Sequence, residues 1–278
     1  MSKSVVGNGM RIGWIGLGAM GLGMARCAAR AGHQLVGHTR GRLEHQALVT
    51  DGGALSGDLD AVVDGAEVVC VNVFSAAQVR SLLYDDGVLA KLAPGTVLVL
   101  HTTSDPVLAR QLAAGAPRMV EVVDAAFSGS PEQAAAGALT MMVGGSPNVV
   151  TRLRPLLDTY AAFIRHVGAT GTGMQLKLLN NLLFAAQVRL AAETYRIAAT
   201  EGFAMETVTD VLSRCSGASR ALGIVGRDGR VARNLDGMRV YIEKDVAAAI
   251  DSAHAAGIDL GILGEVARGF GHDLVERI

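Results

Sequence analysis

Aromatic residues are scarce in this chain, 4% of its positions with a single Trp, so any core must be built from aliphatic and small side chains. Cysteine is scarcer still. Cys27, Cys70 and Cys215 lie far apart with no C-x-x-C pair, which excludes a disulfide framework and a cysteine zinc cluster and fits a reducing cytoplasmic location. Neither sign of charge is in excess: 25 basic residues face 26 acidic ones, so no long-range field draws in nucleic acid or an anionic membrane. Long hydrophobic runs are also lacking. Ile12 to Ala25 is uncharged, but it carries five glycines, is too short to span a bilayer and is followed by Arg26 and Arg30 rather than a small-residue cleavage site, so neither a signal peptide nor a membrane span is expected there. The uncharged run Gln133 to Thr151 is broken by Gly137, Gly144, Gly145 and Pro147. The seven histidines show no H-x-H or H-x-x-x-H spacing, so no metal site is expected, and no G-x-S-x-G marks an acyl-transfer nucleophile.

Glycine, by contrast, fills 35 positions, near twice the usual share of about 7%. The most informative cluster follows the short apolar run Arg11 to Ile15: Gly16-Leu17-Gly18-Ala19-Met20-Gly21, with a helical pattern from Leu22 to Ala31 behind it. Strand, glycine turn and helix in this order make a dinucleotide site. The first glycine permits the tight turn, the second lets backbone approach a pyrophosphate, and the third lets helix pack on strand. Free N–H groups at the helix start then meet the phosphates. Cofactor choice is read at the end of the next strand, Gln34 to His38, where Thr39, Arg40 and Arg42 stand and no carboxylate appears before Glu44. Two guanidiniums suit a 2′-phosphate, so NADP is the expected cofactor.

Further short strands are expected at Glu67 to Val73, Thr96 to Leu100 and Met119 to Asp124, with helical pieces at Ala76 to Leu83 and Leu89 to Leu92. Strands alternating with helices predict an α/β, mostly parallel sheet. After Gly171-Thr172-Gly173 the texture changes. Met174 to Glu201 has neither Gly nor Pro and predicts one long helix, followed by helices at Glu206 to Cys215, Glu243 to Ala256 and Leu260 to Arg277, with a Gly-rich, charged stretch from Ser216 to Gly237 between them. The expected architecture is a Rossmann dinucleotide-binding domain over residues 1–167, a long interdomain helix, and an all-helical substrate and dimerisation domain over residues 168–278.

Three later strings join the glycine turn: Asp124-Ala125-Ala126-Phe127-Ser128-Gly129-Ser130, Gly171 to Asn181 with Lys177 inside it, and Glu243-Lys244-Asp245. In order, these resemble the G-L-G-x-M-G, D-A-P-V-S-G-G, G-x-G-x-x-x-K-x-x-N-N and K-D motifs of the β-hydroxyacid dehydrogenase family, over nearly the whole chain. The resemblance implies hydride transfer between NADP(H) and a small β-hydroxyacid or its semialdehyde, with Lys177 as general acid/base. Asn181 would orient substrate and lysine beside Asn180, and Ser128, Gly129 and Ser130 would hold the substrate carboxylate. Thr103, Lys244 and, more weakly, Val73 and Phe74 would contact the cofactor, together with Gly16 to Gly21. Lysine is rare here, with four in the chain, and two of the four fall on the family's lysine positions. Ala126, Phe127 and Ser130 depart from the family motif, which leaves the substrate's identity open. The alternatives are imine reduction, whose enzymes usually replace the lysine, and a non-catalytic NADPH-binding module. Family members associate through the helical half, so a homodimer or homotetramer is expected.

Overall fold

A computed structural model describes residues 9–269. Among the described residues eight strands form one sheet: β1 (Arg11–Ile15), β2 (Gln34–His38), β3 (Ala54–Ser56), β4 (Val68–Val71), β5 (Val97–Leu100), β6 (Glu121–Ser128), β7 (Leu139–Gly144) and β8 (Ala161–Gly168). Their order is β3-β2-β1-β4-β5-β6-β7-β8, with every neighbouring pair parallel except β6 and β7. The helices around it are α1 (Ala19–Arg30), α2 (Gln46–Thr50), α3 (Leu59–Val63), α4 (Ala76–Arg80), α5 (Val88–Lys91), α6 (Pro106–Gly115), α7 (Pro131–Ala135) and α8 (Pro147–Leu157). After β8 come α9 (Thr172–Thr200), α10 (Met205–Leu212), α11 (Arg220–Val225), α12 (Val231–Ala255) and α13 (Gly261–Arg268).

The central strands β4 (VVCV) and β5 (VLVL) are buried at every position, as a parallel sheet covered on both faces requires. Alternate residues serve two cores. Val68, Cys70, Val97 and Val99 pack with Trp14, α1 and α8 on one face, while Val69, Val71, Leu98 and Leu100 pack with α3, α5 and α6 on the other. Residues divide into two compact units, Met1–Lys177 and Leu178–Ile278, with the border inside α9. The second unit has its own core, built on Leu182, Ala185, Tyr195, Leu222, Leu235 and Val246.

Several expected elements differ. The helical piece over 76–83 is α4 followed by one π-type turn at Ser81–Asp85. Strands β3, β7 and β8 were not anticipated, and β6 runs four residues past Asp124 to Ser128. The Gly-rich stretch from Ser216 to Gly237 holds α11, and the helix expected from Glu243 already begins within it, at Val231. The helix expected at Leu260 to Arg277 is helical over Gly261–Arg268, and its residues from 270 on lie outside the described residues. No helix among the described residues is long and apolar enough to cross a membrane.

Candidate active site

Because β1, β2, β4, β5 and β6 run parallel, the loops that follow them emerge at one edge of the sheet. Chain order reverses between β1 and β4, and the crevice at that switch point is where open α/β sheets hold ligands. The loops on either side of it are locked together. Gly16 has φ +104°, and a Cβ there would overlap the Asn72 carbonyl oxygen just after β4. A Cβ on Gly21 would overlap the Gly16 carbonyl. Gly18 differs, since nothing stands within 4 Å of where its Cβ would be. It is also the N-cap of α1, with no side chain capping the first turn and no acidic residue in it. Bare first-turn amides beside open space fit a pyrophosphate.

A cleft of about 330 Å³ opens at this place. Its lining includes Gly16, Leu17, Gly18, His38, Arg40, Arg42, Val73 and Phe74, so the structure brings the glycine turn, both arginines and the residues after β4 to one cavity. The side chain of Leu17 is itself buried in the core. Ala19, Met20, Gly21, Thr39 and Thr103 do not line the cleft. Thr39 shapes its rim instead. The Thr39 hydroxyl accepts from the Gly41 N–H at 3.1 Å and shares a 2.7 Å hydrogen bond with His45 Nδ1, and His45 Nε2 lies 3.0 Å from the Leu17 carbonyl oxygen. That oxygen can only accept, so Nε2 carries the proton and Nδ1 accepts from Thr39. Buried His45 thereby ties the arginine loop to the glycine turn. His45 and Asp86, which also lines the cleft, were missed in the sequence because each reaches it from outside the β2 turn. His38, on the cleft wall, has its pKa lowered, chiefly by burial.

At the end of β6, Ser128 is partly buried and Gly129 exposed. Gly129 adopts φ +153°, where a Cβ would lie 2.5 Å from Leu139. Ser130 is the N-cap of α7: its hydroxyl accepts from the Gln133 N–H and the Gln133 side chain accepts from the Ser130 N–H. Its side chain therefore serves a capping box, a local duty that the motif alone did not reveal. His101 after β5 is buried and its pKa falls to about 4 through desolvation. Its Nδ1 donates to the Ala125 carbonyl at 2.8 Å, and its ring stacks on Trp14.

Lys177 lies on α9 and is partly buried, one helical turn before Asn181 and so on the same face. In the second unit Asn181 is buried and donates to Asp245 Oδ2 at 2.8 Å, while Asn180 donates to Asn181 Oδ1 at 3.1 Å. Lys244 Nζ is 3.4 Å from Asp245 Oδ1. A carboxylate only accepts, so Asp245 sets which way the Asn181 amide faces.

Residues 11–169 match the family model of the NAD binding domain of 6-phosphogluconate dehydrogenase, and residues 171–272 match that of the NAD-binding of NADP-dependent 3-hydroxyisobutyrate dehydrogenase. The chain belongs to the β-hydroxyacid dehydrogenase family. The chain is 33% identical to an NAD-dependent L-serine dehydrogenase of Pseudomonas aeruginosa, over 88% of this chain and 86% of that one. A solved Mycobacterium tuberculosis 3-hydroxyisobutyrate dehydrogenase with L-serine superposes with a TM-score of 0.82 at 28% identity, covering 94% of this chain and 92% of that one. An imine reductase from Myxococcus stipitatus in complex with NADP+ shares the fold, with a TM-score of 0.64 at 21% identity over 94% and 92%. Nicotinamide dinucleotide binding and oxidoreductase chemistry on hydroxyacids follow from this membership.

Proposed function

We propose that the protein is an NADP(H)-dependent dehydrogenase or reductase of a small β-hydroxyacid or semialdehyde, with Lys177 as its general acid/base. The observation that carries the cofactor choice is the presence of Arg40 and Arg42 in the lining of the cleft that holds Gly16 to Gly18. Guanidiniums form paired hydrogen bonds with a 2′-phosphate, and the strand that supplies them ends without the carboxylate that would bind a ribose hydroxyl. Asp86 lines the same cleft from another element. The bound nicotinamide supplies or receives the hydride. Lys177 gives its proton to the substrate oxygen during reduction and takes it back during oxidation. Asn181, its amide aimed by Asp245, orients the substrate oxygen, and Lys244 and Thr103 serve the cofactor. The Ser128 hydroxyl and the backbone of Gly129 and Ser130 receive the substrate carboxylate.

In this reading residues 1–167 bind NADP, and residues 168–278 complete the substrate site and carry the contacts of a homodimer or a dimer of dimers. Leu179, Leu183, Leu190 and Ile197 support the second part: all four are about half exposed and recur at heptad-like spacing along α9.

The test follows NADPH oxidation and NADP reduction with L-serine, 3-hydroxyisobutyrate, short semialdehydes, ketoacids and imines. Turnover of a hydroxyacid with kcat/KM higher for NADP than for NAD supports the proposal. An equal or higher value with NAD refutes the cofactor choice, and turnover of imines alone refutes the substrate class. Arg40→Ala should lower kcat/KM for NADPH while sparing NADH. Lys177→Ala should cost on the order of 10² or more in kcat and leave cofactor affinity unchanged.

A further inference from the structure

Asp124 opens the string that carries Ser128, yet its side chain does not reach that loop. It is fully buried, and its carboxylate accepts from the Gly171 N–H at 2.6 Å through Oδ1 and from the Met174 N–H at 2.7 Å through Oδ2. Both oxygens thus hold the start of α9, whose first-turn amides have no partner within the helix. Two glycines make the close approach possible. A Cβ on Gly144 would overlap Asp124 Oδ1, and one on Gly173 would lie 2.9 Å from Asp124 Oδ2 and 2.6 Å from the Met142 carbonyl oxygen. A second tie runs parallel, from the Thr170 hydroxyl to the Val122 carbonyl at 2.9 Å. This gives Gly173 of the G-x-G string a purpose at the helix start.

The connection matters because of what lies at its two ends. Ser128 is four residues beyond Asp124 on β6, and Lys177 is three residues beyond Met174 on α9. A strand and a helical turn are stiff over such lengths, so the carboxylate links the group that receives substrate carboxylate to the group that moves the proton. Asparagine could not do the same, because its NH2 would face one of the two N–H donors.

We propose that Asp124 is a positioning residue of the reaction, pinning the first turn of α9 to β6 so that Lys177 and Ser128 are held in fixed register. The proposal rests on the assignment of Lys177 as general acid/base.

A double-mutant cycle between Asp124→Asn and Lys177→Ala tests it, with cofactor affinity measured beside kcat. Asp124→Asn should keep NADPH affinity within about twofold and lower kcat roughly 10- to 100-fold. In the Lys177→Ala background the same change should cost nothing further, because the residue it positions is gone. Loss of activity that multiplies across the double variant, or a wild-type kcat for Asp124→Asn, overturns the proposal. Full activity in Lys177→Ala alone would instead refute the Lys177 assignment. If Asp124→Asn does not fold, Thr170→Val replaces it in the cycle. A several-fold loss of kcat that vanishes in the Lys177→Ala background supports the proposal, and a wild-type kcat or a multiplying loss overturns it.

Discussion

The Thr102 hydroxyl grips the backbone of Val73 from both sides: it accepts from the Val73 N–H at 2.9 Å and donates to the Val73 carbonyl at 3.0 Å. Loops after β4 and β5 are thereby joined beside the cofactor cleft, in whose lining Val73 stands. Thr102→Val would leave both Val73 groups unpaired in a partly buried place, at a cost of about 1–3 kcal/mol. Thermal unfolding should report that loss, and the KM for cofactor should rise several-fold while kcat falls less.

Substitutions in the glycine turn should separate folding from binding. Gly21→Ala drives a methyl into the Gly16 carbonyl and should sharply lower the unfolding temperature of the ligand-free protein. Gly18→Ala enters open space in an ordinary backbone conformation, φ −71°, and should leave that temperature unchanged. In the proposed binding mode its methyl would enter the place of the pyrophosphate, so cofactor Kd should rise at least roughly tenfold by fluorescence titration. A normal Kd for Gly18→Ala would show that the dinucleotide lies elsewhere.

Two buried groups act in opposite directions on stability in mildly acid solution. Burial raises the pKa of Asp124 from 3.8 to about 6 against the pull of the Gly171 and Met174 amides, so its contribution is fully present below pH 3.8 and is lost as pH rises through about 6. Burial lowers that of His101 from 6.5 to about 4, so its contribution is present above pH 6.5 and is lost as pH falls through about 4. Each amounts to about 3 kcal/mol. Denaturant unfolding followed by the lone Trp14, which lies in the first unit, should show these two terms nearly cancelling between pH 4 and 6.5 in the wild type. Asp124→Asn should leave the His101 slope exposed, with the first unit weakening steadily as the solution is acidified. An unchanged slope would contradict the assignment.

The heptad-like face of α9 gives a fourth test. Wild-type protein should sediment as a dimer or a multiple of it, and Leu183→Glu with Leu190→Glu should yield a 28.7 kDa particle. A wild type already of that mass at micromolar concentration would refute the dimer.

The glycine turn could be read in the sequence because its requirements are local. Gly16 must reach φ +104° and Gly21 must clear a carbonyl five residues earlier, and such demands are written in adjacent positions. The missed elements had weaker local signals. Strand β3 has three residues, β7 lies in the uncharged run that Gly137, Gly144, Gly145 and Pro147 break, and Gly237 interrupts the pattern of α12 although Val231, Leu235, Ile242 and Val246 recur on one buried face.

By itself the sequence determined the order of strand, glycine turn and helix, the long α9, and the presence of Lys177 and the asparagine pair on it. Only the tertiary structure decided which groups hold these in place: Asp124 on amides 47 and 50 residues away, His45 on Leu17 across 28, Asp245 on Asn181 across 64. The reason is physical. Backbone conformation is set by neighbours in the chain, whereas a buried polar side chain takes whichever partner the packed sheet and helices bring to it.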